Sequence, residues 1–177
     1  MKTLIISAII IVSFSISVKA DYNKVSNQLT DIEGTMQQSS LSLLLTLYYD
    51  VKNALVKGDA TTAADKAGEF VKAISGIDMK TLSGPDMNVF MSLQDKLVFD
   101  AKHISENKEI SRQREHFSSF SSNFYKLAKS VTLTEQPVYY AYCPMRKAHW
   151  LSSEATIKNP YLGNSMLTCG KVEETLK

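Results

Sequence analysis

Cys143 and Cys169 are the only two thiols in a chain of 177 residues, and each has a methionine close by, Met145 and Met166. A thiol and a thioether two or three residues apart can reach one ion. The two pairs bracket a loop able to fold back and join them. Four soft sulfur donors favour Cu(I) or Ag(I), whereas zinc prefers four cysteines or histidines and calcium prefers oxygens. His149 offers a nitrogen as the weakest member of the set, and Trp150 offers an aromatic cap beside the ion.

The same two cysteines have a plainer use. In an oxidising exported compartment they can pair, closing a loop of roughly 25 residues and stabilising the fold by about 3–4 kcal/mol in the chain-entropy treatment. One pair of sulfurs cannot be a disulfide and two thiolate ligands at once. In the disulfide reading the chain is a structural or interaction protein. The tyrosines of the Tyr139 to Tyr142 run then dock a partner, and Trp150 and Tyr161 are core of a small lobe. Redox catalysis is a third reading. Against it, the cysteines are far apart in sequence, unlike a Cys-x-x-Cys site, and no basic neighbour obviously lowers either thiol's pKa.

Compartment is read from the first residues. Met1-Lys2 is a short basic start, Leu4 to Val18 is almost wholly apolar, and Val18-Lys19-Ala20 places small residues before a cut. This pattern predicts a signal peptide over residues 1–20, cleaved at about Ala20, and a periplasmic or otherwise exported protein. The apolar run is too short and too interrupted by serines for a membrane anchor, so the mature chain is expected to have no membrane span. The full chain carries 20 basic and 18 acidic residues, and loss of Lys2 and Lys19 leaves the mature form formally neutral. Nucleic-acid binding is set aside, because it needs a basic face to displace counterions from phosphates. Nucleophile elbows, phosphate loops, paired-histidine zinc motifs and dinucleotide fingerprints are all missing from the sequence, so no enzyme is expected.

The elements that must position the sulfurs are mostly helical. Residues 21–38 are polar and without a clean period, and are read as a mobile lead-in, with an extra partial helix as the alternative. Leu41, Leu44, Leu45, Tyr48, Val51 and Leu55 recur at helical spacing and stop near Gly58; Asp59 caps the next stripe, Ala60 to Ile74. Ser83-Gly84-Pro85 opens a third stripe of Met87, Phe90, Met91, Leu97, Val98, Ala101 and Ile104. A fourth runs from Ile110 through Phe117, Phe120, Phe124 and Leu127 to Val131. Met87 and Met91, one turn apart, could join Met79 or His103 as soft ligands, but methionines on an apolar stripe are more often core filler. His116 is weighed in the same way. Arg112 and Arg114 with Glu109 and Glu115 read as a solvated, salt-bridged face.

Short connections make neighbouring helices antiparallel. The fold class is therefore mainly α, an up-and-down four-helix bundle over residues 39–133 with a small loop-rich C-terminal lobe over 134–177, forming one domain. Glu135-Gln136-Pro137 ends the bundle, and Val138 to Tyr142 is β-prone.

Tyr142-Cys143-Pro144-Met145, Trp150-Leu151-Ser152, Asn159-Pro160-Tyr161-Leu162-Gly163 and Met166-Leu167-Thr168-Cys169-Gly170 together resemble an uncharacterised exported bacterial domain family. That domain is also found appended to periplasmic adaptor subunits of copper and silver efflux systems. The resemblance implies a helical N-terminal part, matching Leu41 to Val131 and including Arg114 and Phe117. It also implies a heavy-metal role with Cys143, Met145, Met166 and Cys169 as ligands, and a heavy-metal efflux complex or another periplasmic protein as partner. Trp150, Asn159, Tyr161, Gly163 and Gly170 belong to the motif, whereas His149 falls at no fixed position of it.

Overall fold

The structure is a computed structural model that describes residues 22–176, with the side chains of residues 22–39 and of 81 outside the description. The signal-peptide reading of residues 1–20 lies outside the described residues. Four helices come first, α1 (Tyr22–Lys57), α2 (Ala60–Ser75), α3 (Gly84–Glu106) and α4 (Ile110–Ser130). Three strands follow, β1 (Val138–Cys143), β2 (Ala148–Ser152) and β3 (Lys171–Leu176), in an antiparallel sheet of order β2-β1-β3. The molecule is mainly α, a four-helix bundle with a small C-terminal lobe.

Local chemistry makes the bundle's reversals abrupt. At the end of α1 the Gly58 amide bonds back to Leu55 O and the Asp59 amide to Ala54 O. The Asp59 carboxylate at once accepts from the Thr62 amide at 3.0 Å and from its hydroxyl at 2.6 Å, starting α2 with no linker between. Helix α3 begins on the Ser83 cap with Pro85 in its first turn. Between α3 and α4 the buried Gln113 side chain donates to Asn107 O and Ala60 O, each at 2.8 Å, so one amide fastens the α3 terminus to the start of α2.

An aromatic core fills the space between the helices. Phe70, Phe90, Phe117, Phe120 and Phe124 are fully buried, and Tyr48 of α1 stacks on Phe124 at 4.7 Å with rings 5° apart. The Tyr48 hydroxyl bonds Ser121 Oγ at 2.6 Å and accepts the Leu151 amide at 2.9 Å. An amide of the edge strand β2 is thus satisfied from inside the bundle, which seats the sheet against α1 and α4.

Two expectations are refined and one changes. Residues 22–38 are helical backbone continuous with α1, which extends the partial helix that was the alternative there. The loop-rich lobe carries a sheet of which the sequence showed only β1: β2 hides its strand character by being buried on nearly every residue, and β3 by being mostly charged and exposed. Met91, placed on the third stripe, is 58% exposed, while Leu93 is buried. The observed stripe runs Phe90, Leu93, Leu97, Ala101, Ile104, stepping by three and four.

Candidate soft-metal centre

Strand alternation distributes the lobe's side chains between two faces. Cys143 pairs with Ala148 and Ala141 with Trp150, so these four share one face; Tyr142 pairs with His149 and Tyr140 with Leu151, on the other. Pro144 to Lys147 close the hairpin, with Lys147 in the left-handed region at φ 51°. Cys143 ends β1 with no exposed surface.

Cys169 is brought to Cys143 by a fastened return of the chain. The buried Asn159 side chain accepts from the amides of Tyr161, at 2.8 Å, and Leu162, at 3.1 Å, and donates to Cys169 O at 2.6 Å. Its own amide bonds Leu167 O at 2.8 Å. Two of these bonds, to Leu167 O and Cys169 O, lock the Asn-Pro-Tyr segment to the Met-Leu-Thr-Cys segment, and the other two hold the Asn-Pro-Tyr turn itself. Tyr161 then wedges its ring between Phe117 of α4, 5.7 Å away, and Trp150, 6.1 Å away, and its hydroxyl donates to His149 O.

Two glycines make the approach possible. Gly163 has φ +54°, and a Cβ there would lie 2.5 Å from the Arg114 guanidinium and 3.0 Å from Val56 O. Arg114 Nη2 donates to Leu55 O at 2.8 Å, so α4, the end of α1 and the lobe meet at this point. Gly170 has φ +149°, and a Cβ there would lie 2.8 Å from both Trp150 Cη2 and Tyr142 O. The chain leaving Cys169 therefore passes too close to Trp150 and to the β1 backbone to carry a side chain at this position.

The outcome is a pair of free thiols, Cys143 buried and Cys169 half-buried, near enough for Cys143 to act on the Cys169 proton. Burial and the neighbouring Cys143 push the Cys169 thiol up, while the Met145 amide, aimed at the same sulfur, pulls it down. Both methionines neighbour this pair along the chain: Met145 in the hairpin loop is 65% exposed, and Met166, whose carbonyl accepts the Cys169 amide, is 46% exposed. Among the described residues no group of three or more histidines, cysteines or carboxylates stands close enough to hold an ion.

His149 is not brought to the sulfurs. One residue beyond Ala148, it falls on the opposite face, where its ring stacks on Tyr140 at 4.6 Å and Nε2 meets Glu173 at 3.0 Å. Tyr125 of α4 lies on the far side of Tyr140 at 3.7 Å, completing a stack that the sequence did not reveal. In the bundle, His103 and His116 do come together, their rings parallel at 4.6 Å, with His116 Nδ1 3.9 Å from the buried Asp100. Met87 is half-buried and Met91 exposed on α3. Arg114 departs from the solvated face expected of it; only Arg112 pairs with Glu115, at 3.3 Å. The signal that could have found Arg114 was its place one turn before Phe117, beside the face that Phe117, Phe120, Phe124 and Leu127 bury.

The sequence profile of a family described as a protein of unknown function, DUF3347, matches residues 44–136. No curated protein and no solved structure matches the chain. Among the described residues no helix is long and apolar enough to cross a membrane.

Proposed function

The chain belongs to the DUF3347 family of proteins of unknown function, and from that premise and the sulfur geometry we propose that it binds Cu(I) or Ag(I) in an exported compartment. It acts there as a binding protein, not an enzyme, in copper buffering, delivery or efflux. A heavy-metal efflux complex, or another periplasmic protein, is the partner that receives the ion. One observation carries this reading: two free thiols 26 positions apart in sequence are neighbours in the fold, each with an exposed methionine close by along the chain. Cys143 and Cys169 supply thiolates, and Met145 and Met166 complete the shell from the solvent side. The exposed thioethers are also where an incoming ligand from a partner can exchange.

Anaerobic titration of the protein with Cu(I) against a competing chelator, with free thiols counted beforehand, tests this. One tightly held ion per chain, weakened by joint Met145→Leu and Met166→Leu substitution with the fold intact, supports it. Paired thiols and no bound ion overturn it.

The complete burial of Cys143 favours a second reading, in which the pair oxidises to a staple and the lobe is a disulfide-bonded interaction or structural domain without metal. The same thiol count separates the two.

A further inference from the structure

A cleft of about 480 Å³ lies between α1 and the start of the lobe, at the opposite end of β1 from the cysteines. Tyr139, on its wall, precedes Cys143 by four residues, a separation of about 13 Å along a strand. The cleft is therefore a different place from the sulfur pair. Its size falls within the ordinary range for small-molecule sites.

Its lining narrows the chemistry it can accept. Among the described residues that line it none carries a charge, although charged side chains cover much of the remaining surface. Leu45, Tyr49, Pro137 and Tyr139 provide apolar walls, and Gln136 and Ser153 provide uncharged hydrogen-bonding groups. A phosphate, a carboxylate or a metal ion would find no counter-charge here. A purely aliphatic chain would strip water from hydroxyls and an amide and return nothing.

The walls are held before any ligand arrives. Tyr49 packs edge-on against the buried Tyr48 ring at 6.0 Å, which fixes its orientation. Its hydroxyl makes no hydrogen bond to a described residue, and burial keeps it protonated far above neutral pH, so it is a standing donor. On the facing wall the Gln136 amide bonds Thr134 Oγ1 at 3.1 Å and Pro137 stiffens the next position, leaving the Gln136 side chain on a preformed turn.

We infer that this cleft binds a neutral saccharide of one or two rings. Sugar C–H faces lie on tyrosine rings without desolvating a charge, and sugar hydroxyls both give and accept hydrogen bonds, matching tyrosine, serine and glutamine groups.

Saturation-transfer NMR on the full chain tests this with a panel of glucose, mannose, N-acetylglucosamine and cellobiose at millimolar concentration. At least one is expected to show transfer, with affinity reduced at least tenfold in Tyr139→Ala and several-fold in Gln136→Ala. Gln136 is exposed, so its variant reads the site even if Tyr139→Ala does not fold. Cys143→Ser is expected to leave the transfer unchanged, which separates this result from that of the metal titration. Transfer from none of the four, or transfer undiminished in Gln136→Ala, overturns the inference.

Discussion

The Asn159 side chain holds the Cys169 carbonyl at 2.6 Å and thereby sets where the second thiol can stand. Asn159 is itself fully buried, so each of its bonds is made where water cannot substitute. Asn159→Ala leaves a carbonyl and two amides without partners. The expected loss is about 2–4 kcal/mol of folding free energy, read from urea denaturation. Faster labelling of Cys169 by a thiol reagent should accompany it.

Gly163 and Arg114 form the joint between lobe and bundle. Gly163→Ala puts a methyl group against the guanidinium at a position with φ +54°, and should cost about 1–3 kcal/mol. In an Arg114→Ala background the clash with the side chain is gone and the strain at φ remains. The second substitution should then cost less than in the wild type, a coupling that a double-mutant cycle on denaturation midpoints measures.

Lys52 on α1 is buried, and burial lowers its amine from 10.5 to about 8, with Glu154 opposing and Lys158 assisting. A base whose folded pKa is depressed holds fewer protons folded than unfolded between these two values. Stability from this residue therefore rises with pH from about 8 to 10.5, by up to about 1.4 kcal/mol per pH unit. Cys169, an acid pushed up by folding, contributes in the opposite sense as pH climbs through the ordinary thiol range. Comparing urea midpoints of wild type and Lys52→Met over roughly pH 7.5 to 9.5 isolates the lysine. The wild type should gain on the variant as pH rises; parallel curves would remove Lys52 as a titrating group.

Metal capture by the Cys169 thiol must release its proton. Burial pushes Cys169 up, so its thiol form predominates at neutral pH. Apparent Cu(I) affinity should rise by at least about one decade per pH unit while this thiol is protonated, measured by chelator competition at several pH values. A flat profile would mean that the ion is held by groups other than this thiol.

The helices were legible in the sequence because their causes are local. A stripe such as Phe117, Phe120, Phe124 and Leu127 states its own period, Asp59 caps within three residues, and Ser83-Gly84-Pro85 starts α3 from inside its first turn. Phase was less secure: Met91 and Leu93 are both apolar, and only the packing of α2 and α4 against α3 decides which one is buried. Strand β3 was not legible, since Lys171 to Leu176 gains its strand conformation from pairing with β1 rather than from an apolar pattern of its own.

Residue types and spacing alone thus determined a four-helix bundle and nominated Cys143, Met145, Met166 and Cys169 as one sulfur set. Tertiary structure decided that the thiols meet and that His149 does not join them. Meeting requires the chain between the cysteines to return along one path, and that path is selected by the buried hydrogen bonds of Asn159 and by backbone contacts at Gly163 and Gly170 that only glycine allows. His149 is excluded because successive residues of a strand face opposite ways, and the sheet's register turns Ala148, not His149, toward the sulfur face.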